Sequence, residues 1–300
     1  MPRPSNARFS VSVPASSANL GPGFDAVGLA LALRIRADVE PADRFSLAFA
    51  SGKEAPSHGG LQAAIVRAME CVDRTLPRVR VCVTNRIPLG KGLGSSAAAT
   101  VLGLAVAARA HGRSLSRREL GALASGLEGH PDNALPAVFG NVVVAASSDA
   151  RAYLRLRAAR DLRALVVIPE IELSTADARA LLPERYDRAD VVFTAQRAAL
   201  LGAALASGSW NELSEAMHDR IHQPYRAGRI PGMTDALAIR ERGLIGCALS
   251  GAGPSIIALL RPRAAWERVA DRISACFSRA GILSRALALD LSDRGLVYSS

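Results

Sequence analysis

The feature that most constrains this 300-residue chain is a glycine-serine loop that opens a helix with no polar face. The loop reads Ile87-Pro88-Leu89-Gly90-Lys91-Gly92-Leu93-Gly94-Ser95-Ser96, and Ala97 to Ala110 is then nearly all Ala, Leu and Val. A helix apolar all round must be covered on every side, so the rest of the chain has to wrap around it. Alternating glycines at 90, 92 and 94 allow positive φ and let a ligand approach the backbone without Cβ clashes. Their amides can turn inward as a nest for anions, and the free N–H groups and dipole of the helix start favour phosphate. Lys91 adds a positive charge able to reach a phosphate, and Ser96 a hydroxyl for Mg²⁺ or a phosphate oxygen. The loop is not a Walker A motif, because the lysine precedes the last two glycines, and it lacks the third glycine of a dinucleotide fingerprint. A plain glycine turn capping a helix is the competing reading. Three glycines, a lysine and two serines at one strand-to-helix junction favour phosphate binding over it.

Around this loop the periodicities predict strands at 9–14, 29–39, 45–50 and 79–84, and a helix over 62–72. A small-residue and glycine segment at 15–28 reads as a loop. Ser116-Arg117-Arg118-Glu119 is a capping box for a helix that ends near Glu128-Gly129, where Pro131 blocks continuation. Apolar runs at 141–146 and 165–169 predict strands, and the Arg-rich, less periodic stretch around 148–162 marks a soft domain boundary. Beyond it the spacing predicts helices at 191–206, 210–221 and 264–280 and strands at 247–250 and 256–260. Strands and helices mixed without strict alternation indicate an α+β class, divided as residues 1–155 and 156–300.

Composition narrows the partners. The formal charge is +10, yet the basic residues are almost all Arg spread along the chain, with Lys only at 53 and 91. No block of five basic residues and no aromatic-interleaved basic strip supports a nucleic-acid binder; an Arg- and Ala-biased proteome accounts for the charge. Cys71, Cys82, Cys247 and Cys276 are far apart and read as free thiols of a reducing compartment rather than a zinc site. Residues 1–6 lack a hydrophobic signal core, and no apolar stretch reaches 18 residues without a charge or breaker. A soluble, cytoplasmic protein without a membrane partner is expected.

Three other segments carry chemistry. In the stretch from Val13 to Asp25, Asn19 can donate and accept and Asp25 accepts, which suits a ligand with an ammonium and a hydroxyl; a pair of Asx turns shaping the loop fits equally well. Glu128-Gly129-His130-Pro131-Asp132-Asn133 packs four functional side chains together. A carboxylate at a helix C-terminus is disfavoured by the dipole, and a cation would offset that, so Glu128 is either a Mg²⁺ ligand or a solvated surface residue. Ser250-Gly251-Ala252-Gly253-Pro254-Ser255 is a glycine turn able to abut the phosphate loop.

Together the Pro14–Gly21 stretch, the Pro88–Ala98 loop and the Ser250–Ser255 turn resemble, in order, three motifs of the GHMP small-molecule kinases. The stretches Leu127–Asn133, Glu172–Arg179 and Asp219–Arg226 are similar to the branch of that family that phosphorylates homoserine. The resemblance implies an N-terminal ribosomal-protein-like α+β domain, a C-terminal ferredoxin-like domain, and ATP and homoserine meeting between them. It implies ATP contacts along Pro88, Leu89, Gly90, Lys91, Gly92, Leu93, Gly94, Ser95, Ser96, Ala97 and Ala98, with Mg²⁺ on Ser96 and Glu128. It places homoserine on Asn19, Asp25, His130, Thr175, Arg179 and Arg226, the last two as planar forks for its carboxylate. Asp132 and Asn133 become groups that orient the hydroxyl, and Arg179 also helps neutralise the phosphate. The product would be O-phospho-L-homoserine, for threonine synthesis, and family habit suggests a homodimer.

The chain also departs from the family's pattern. Gln62-Ala63 stands where relatives carry Asp-Asn, Thr194 where they tend to have Asn, and Asn141 where they have a second Gly. The first change bears on adenine contacts. The competing functions are a kinase for another small hydroxylated amino acid and a nucleotide-binding regulator without catalysis. Lys91, Ser96 and Glu128 speak against the regulator.

Overall fold

In a computed structural model, residues 7–50, 59–147, 149–157 and 162–299 are described. The N-terminal hexapeptide, Lys53, residue 148 and residues 158–161 of the Arg-rich stretch lie outside them. The elements in order are β1 (Phe9–Asn19), β2 (Gly23–Pro41), β3 (Ser46–Phe49), α1 (Gly59–Val72), β4 (Val79–Asn85), α2 (Ser95–Ala110), α3 (Arg117–Glu128), α4 (Pro131–Phe139), β5 (Val142–Ala145) and β6 (Tyr153–Leu156). There follow β7 (Arg163–Pro169), α5 (Thr175–Ala180), α6 (Arg188–Ser207), α7 (Trp210–Ala216), α8 (Gln223–Ala227), α9 (Met233–Leu237), β8 (Leu244–Leu249), β9 (Ile256–Leu260), α10 (Trp266–Arg279), β10 (Ser284–Asp290) and β11 (Val297–Ser299).

Among the described residues these strands make two sheets. The first runs β11-β1-β2-β4-β3, with β5 paired to β2 and β6 to β5. The second is the antiparallel set β10-β7-β9-β8. Taken with α10 and the helical crossover between β7 and β8, it has the β-α-β-β-α-β order of a ferredoxin-like unit. As its sequence requires, α2 is buried almost throughout, from Ala97 to Ala108, against α1, α3, α4 and β1. The backbone of Gly103 allows α1 to approach: a Cβ there would sit 2.4 Å from the carbonyl oxygen of Ile65.

Several expectations are corrected. Residues 15–28 are not a loop: β1 continues to Asn19, turns at 20–22 and returns as β2, so this is the closed end of a long hairpin. Helix α3 ends at Glu128 with Gly129 as its cap, as expected; what the sequence reading lacks is that Pro131 also begins a new helix, α4, at a first-turn position where its missing N–H costs nothing. The helix expected at 210–221 stops at Ala216, because Asp219 turns its carboxylate onto the amides of Ile221, His222 and Gln223 and starts α8. The expected division near residue 155 falls at the end of β6, which still pairs within the first sheet, and β11 returns to that sheet from 297–299. Helix α6 is long and apolar enough, by length and composition alone, to cross a membrane. It nevertheless carries Arg197 and packs Thr194, Leu201, Ala204 and Leu205 into the protein.

Candidate active site

The three motif segments converge on one cavity of about 340 Å³, lined by the phosphate loop, the hairpin end, the start of α4, the start of α5 and the turn after β8. Hydroxyl groups knit these pieces together. The Ser250 hydroxyl donates to the carbonyl of Gly92 at 2.7 Å and lies 2.9 Å from the Ser17 hydroxyl. Ser16 reaches the Asn133 side-chain carbonyl at 2.9 Å, and its own amide donates to Leu93. These contacts need bare backbone at two loop positions. A Cβ on Gly92 would meet the Ser250 carbonyl oxygen at 2.1 Å, and one on Gly94 would meet the Ser16 hydroxyl at 2.1 Å.

Along the loop, Gly90, Gly92 and Gly94 all have positive φ, and Gly94 caps α2 without any side chain over the helix start. Gly90, Gly92, Leu93, Gly94, Ser95, Ser96 and Ala97 line the cavity. Pro88, Leu89 and Ala98 are not among its lining residues, and neither is Lys91. The ammonium of Lys91 turns instead to the far side and donates to the carbonyls of Ile171 (2.6 Å) and Pro169 (3.5 Å), while partial burial lowers its pKa. In this conformation it ties the loop to the end of β7 rather than facing the cavity.

Beside the loop, Glu128 accepts from Ser96 (3.1 Å) and Thr100 (2.7 Å) through one carboxylate oxygen. Thr100 belongs to no motif; the sequence signal for it is its position one helical turn beyond Ser96. A carboxylate and a hydroxyl at the cavity wall are the hard oxygen donors that Mg²⁺ takes. Arg67 of α1 also lines this end, a residue that sequence reasoning misses because its helix carries no motif.

At the other end, Asp25 and Arg179 form a bidentate pair at 2.6 and 2.9 Å, both side chains remaining partly exposed. That bonding raises the pKa of Arg179. Asn19, Leu20 and Asp25 all have positive φ without being glycine, a local cluster of backbone strain of the kind found where a ligand site is preset. Asn19 holds the strained hairpin: its side-chain carbonyl accepts from the Asp25 amide at 3.1 Å, and its side-chain amide donates to Gly251 at 2.9 Å. One N–H and one lone pair of Asn19 remain for a ligand. Arg226, although 2% exposed, reaches the cavity wall; its guanidinium lies over the Phe24 ring and donates to the carbonyls of Ala178 and Gly251. Burial, and then the charge of Arg179, lower its pKa.

Between the two ends stand His130, Asp132 and Asn133. His130 Nδ1 lies 2.6 Å from Asp132, which holds the imidazole pKa above its ordinary value despite burial. The Asn133 amide donates to the same Asp132 oxygen at 3.2 Å. Ligating atoms of Asp25, His130 and Asp132 lie within 4.8 Å of one another. Gly28 makes this placement possible, since a Cβ there would sit 1.6 Å from the Asp132 carbonyl oxygen.

The departures take up different positions. Gln62 and Ala63 are exposed on α1 and do not line the cavity. Asn141 has φ 59°, in the left-handed region that glycine enters freely and that asparagine tolerates best among the other residues. Thr194 is buried and accepts from the Arg220 amide at 3.3 Å.

Comparison with known proteins adds an independent line. Residues 61–141 match the GHMP kinases N terminal domain, and residues 201–279 match the GHMP kinases C terminal family. A homoserine kinase of Solibacter usitatus is 40% identical over 97% of this chain and 97% of its own. One from Deinococcus radiodurans is 39% identical over 96% of each. The crystal structure of homoserine kinase from Cytophaga hutchinsonii superposes with a TM-score of 0.83 at 26% identity, covering 100% of both chains.

Proposed function

The chain belongs to the GHMP kinases, in their homoserine kinase branch, and on that premise we propose that it transfers the γ-phosphoryl group of ATP to the side-chain hydroxyl of L-homoserine. The observation that carries this reading is the charge layout of one cavity. An anion nest and an oxygen pair sit at one end, and an acid with two arginines sits at the other. Homoserine is a zwitterion with a hydroxyl two carbons beyond its α-carbon. Asp25 takes its ammonium, and Arg179 and Arg226 take its carboxylate. Its entry replaces the Asp25–Arg179 contact by two contacts of the same sign pattern. Thr175 and Asn19 line the pocket beside it.

Phosphoryl transfer demands positioning and charge neutralisation more than covalent help from the protein. The loop amides of residues 90–97 hold the phosphates. Ser96 and Glu128 would hold Mg²⁺, which would supply positive charge to neutralise the phosphates. Asp132 and Asn133 orient the hydroxyl for in-line attack. As the oxygen–phosphorus bond forms, the bond to ADP breaks and the hydroxyl proton passes to solvent, giving O-phospho-L-homoserine, ADP and a proton. Asp132 already shares its oxygen with His130 and Asn133, so its part is to fix the hydroxyl's direction. Arg179 spreads the phosphate's charge.

A coupled ADP-release assay with ATP and Mg²⁺ tests the reading, comparing L-homoserine with L-threonine, L-serine, mevalonate and no acceptor. Turnover that depends on homoserine and is lost in Arg179→Ala and Asp25→Asn is the expected result. Preference for another alcohol would move the substrate within the family, and no turnover with any acceptor would point to a regulator. The metal assignment has its own check. Glu128→Gln keeps a hydrogen-bonding side chain but removes the charge, and it should raise the Mg²⁺ concentration needed for half-maximal rate by about 10- to 100-fold. An unchanged Mg²⁺ titration would remove Glu128 from the metal site.

A further inference from the structure

We propose that His222 is a positioning residue for homoserine: a neutral imidazole that aims Arg226 at the substrate carboxylate and locks it to the hairpin carrying Asp25. His222 is completely buried and makes a directed contact on each ring nitrogen. Nε2 lies 2.6 Å from the carbonyl of Gly21, at the turn of the β1–β2 hairpin, and so must carry the proton. Nδ1 lies 3.2 Å from Arg226 Nη1; a guanidinium can only donate, so Nδ1 must be the bare acceptor. The two contacts fix one tautomer. The ring also stacks on Phe24, at 5.1 Å between centroids and 23° between planes, and the same Phe24 ring lies under the guanidiniums of Arg226 and Arg179.

The surroundings keep the imidazole neutral. Burial pushes its pKa down, Arg226 lowers it further, and Asp219 and Asp25 oppose the shift. Asp219 also accepts from the His222 amide at 2.9 Å, so the backbone is held as firmly as the ring. His222 and Arg226 are four residues apart at the start of α8, which puts them on one face. The imidazole therefore joins two segments from opposite ends of the sequence. It holds the hairpin from the first sheet and the arginine from the α8 segment in the relative position that a zwitterion must bridge. This role rests on Arg226 binding the carboxylate of homoserine.

Two conservative replacements separate the two nitrogens. The amide of His222→Gln falls near the Nε2 position and can still donate to Gly21, but leaves Arg226 without its acceptor. The amide oxygen of His222→Asn falls near Nδ1 and still accepts from Arg226, but abandons Gly21. The expected result is a KM for homoserine raised about 10- to 30-fold in His222→Gln and less than about 3-fold in His222→Asn. KM for ATP should be unchanged in both, and Tm should fall more in the Asn variant. Equal KM changes in the two variants, or lost Tm with no KM change, would overturn the proposal. The reduced substrate 2-amino-1,4-butanediol, which has no carboxylate, should show no penalty from His222→Gln. If the unaltered protein uses it as well as homoserine, the Arg226 assignment fails, while His222 is still judged by the Gln–Asn divergence. Should either variant fold poorly, ¹⁵N-histidine NMR of the unaltered protein decides the same question. The proposal requires a neutral Nε2–H tautomer for one histidine, with an Nδ1 resonance that moves on adding homoserine. An Nδ1–H or doubly protonated ring there would refute it.

Discussion

Arg226→Met should lower kcat/KM for homoserine by about 30- to 5,000-fold, the 2–5 kcal/mol that follows when one partner of a buried charge pair is removed and the other is left to be desolvated alone. Methionine is chosen because it nearly fills the arginine's volume, so the loss reports the missing guanidinium more than a cavity. The effect should fall on homoserine, with KM for ATP nearly unchanged, because Arg226 stands at the far end of the cavity from the phosphate loop. Arg226→Lys should recover little. A compact ammonium cannot donate to Ala178 and Gly251, meet the imidazole of His222 and still present a fork to a carboxylate. Steady-state kinetics with each substrate varied in turn checks both statements. A change of less than about threefold in Arg226→Met would mean that the carboxylate binds elsewhere.

The second large effect belongs to Gly92. Gly92→Ala should abolish measurable turnover and lower Tm, while Gly90→Ala should keep a substantial fraction of the activity. Both glycines have left-handed φ, +69° and +64°, so each alanine bears a cost of about 1–2 kcal/mol from backbone conformation alone. They differ in their surroundings. A Cβ at Gly92 strikes the backbone oxygen of Ser250, which no rotamer change can relieve, whereas nothing lies within 4 Å of a Cβ at Gly90. Relief at Gly92 would require the phosphate loop and the turn after β8 to move apart, breaking the Ser250–Gly92 and Ser250–Ser17 contacts. The measurement is ATP affinity by calorimetry together with thermal unfolding. Equal behaviour of the two variants would show that the apposition of loop and turn is dispensable.

The phosphate loop and α2 are legible in the sequence because each carries a strong local rule: glycine spacing for the one, a helix apolar on every face for the other. Ser96 and Glu128, paired in sequence only by their residue types, come together because α3 runs back along α2 and ends beside the loop. The hairpin end at 15–28 reads as a loop for a physical reason. Its small residues, mostly Ala, Ser and Gly, are almost all buried whichever face they take, so the alternation that marks a half-exposed strand is absent. For Lys91, position and charge both point towards phosphate. Spacing cannot show that two backbone carbonyls at the end of β7 lie within reach on the other side.

Pro131 bars α3 from continuing, as its place in the sequence indicates, and also opens α4, which that place does not indicate. Proline stops a helix that runs into it and is well suited to a helix's first turn, and only the chain's path past Gly129, at φ 83°, shows that it does both. His222 lies within a stretch of family resemblance, yet nothing local assigns it a role. A histidine's task depends on what each ring nitrogen meets, and Gly21 is 201 residues away in the chain. Of the cavity, the glycine-loop half is thus written in short-range sequence, while the half around Asp25, Arg179 and Arg226 depends on contacts between distant segments.

The pairing of β11 with β1 has a consequence for how the chain is made. Ser10, Val11 and Ser12 bond to residues 297–299, so one flank of the first sheet stays open while everything between emerges from the ribosome. The same terminal segment also fastens other parts of the fold, Ser292 donating to Ala30 of β2 and Leu296 to Val138 of α4. A nascent chain that has finished β6 therefore holds its apolar central helix but exposes an unpaired strand edge, open to a neighbouring nascent chain on the same message. The time needed to synthesise the second half sets how long that edge is bare.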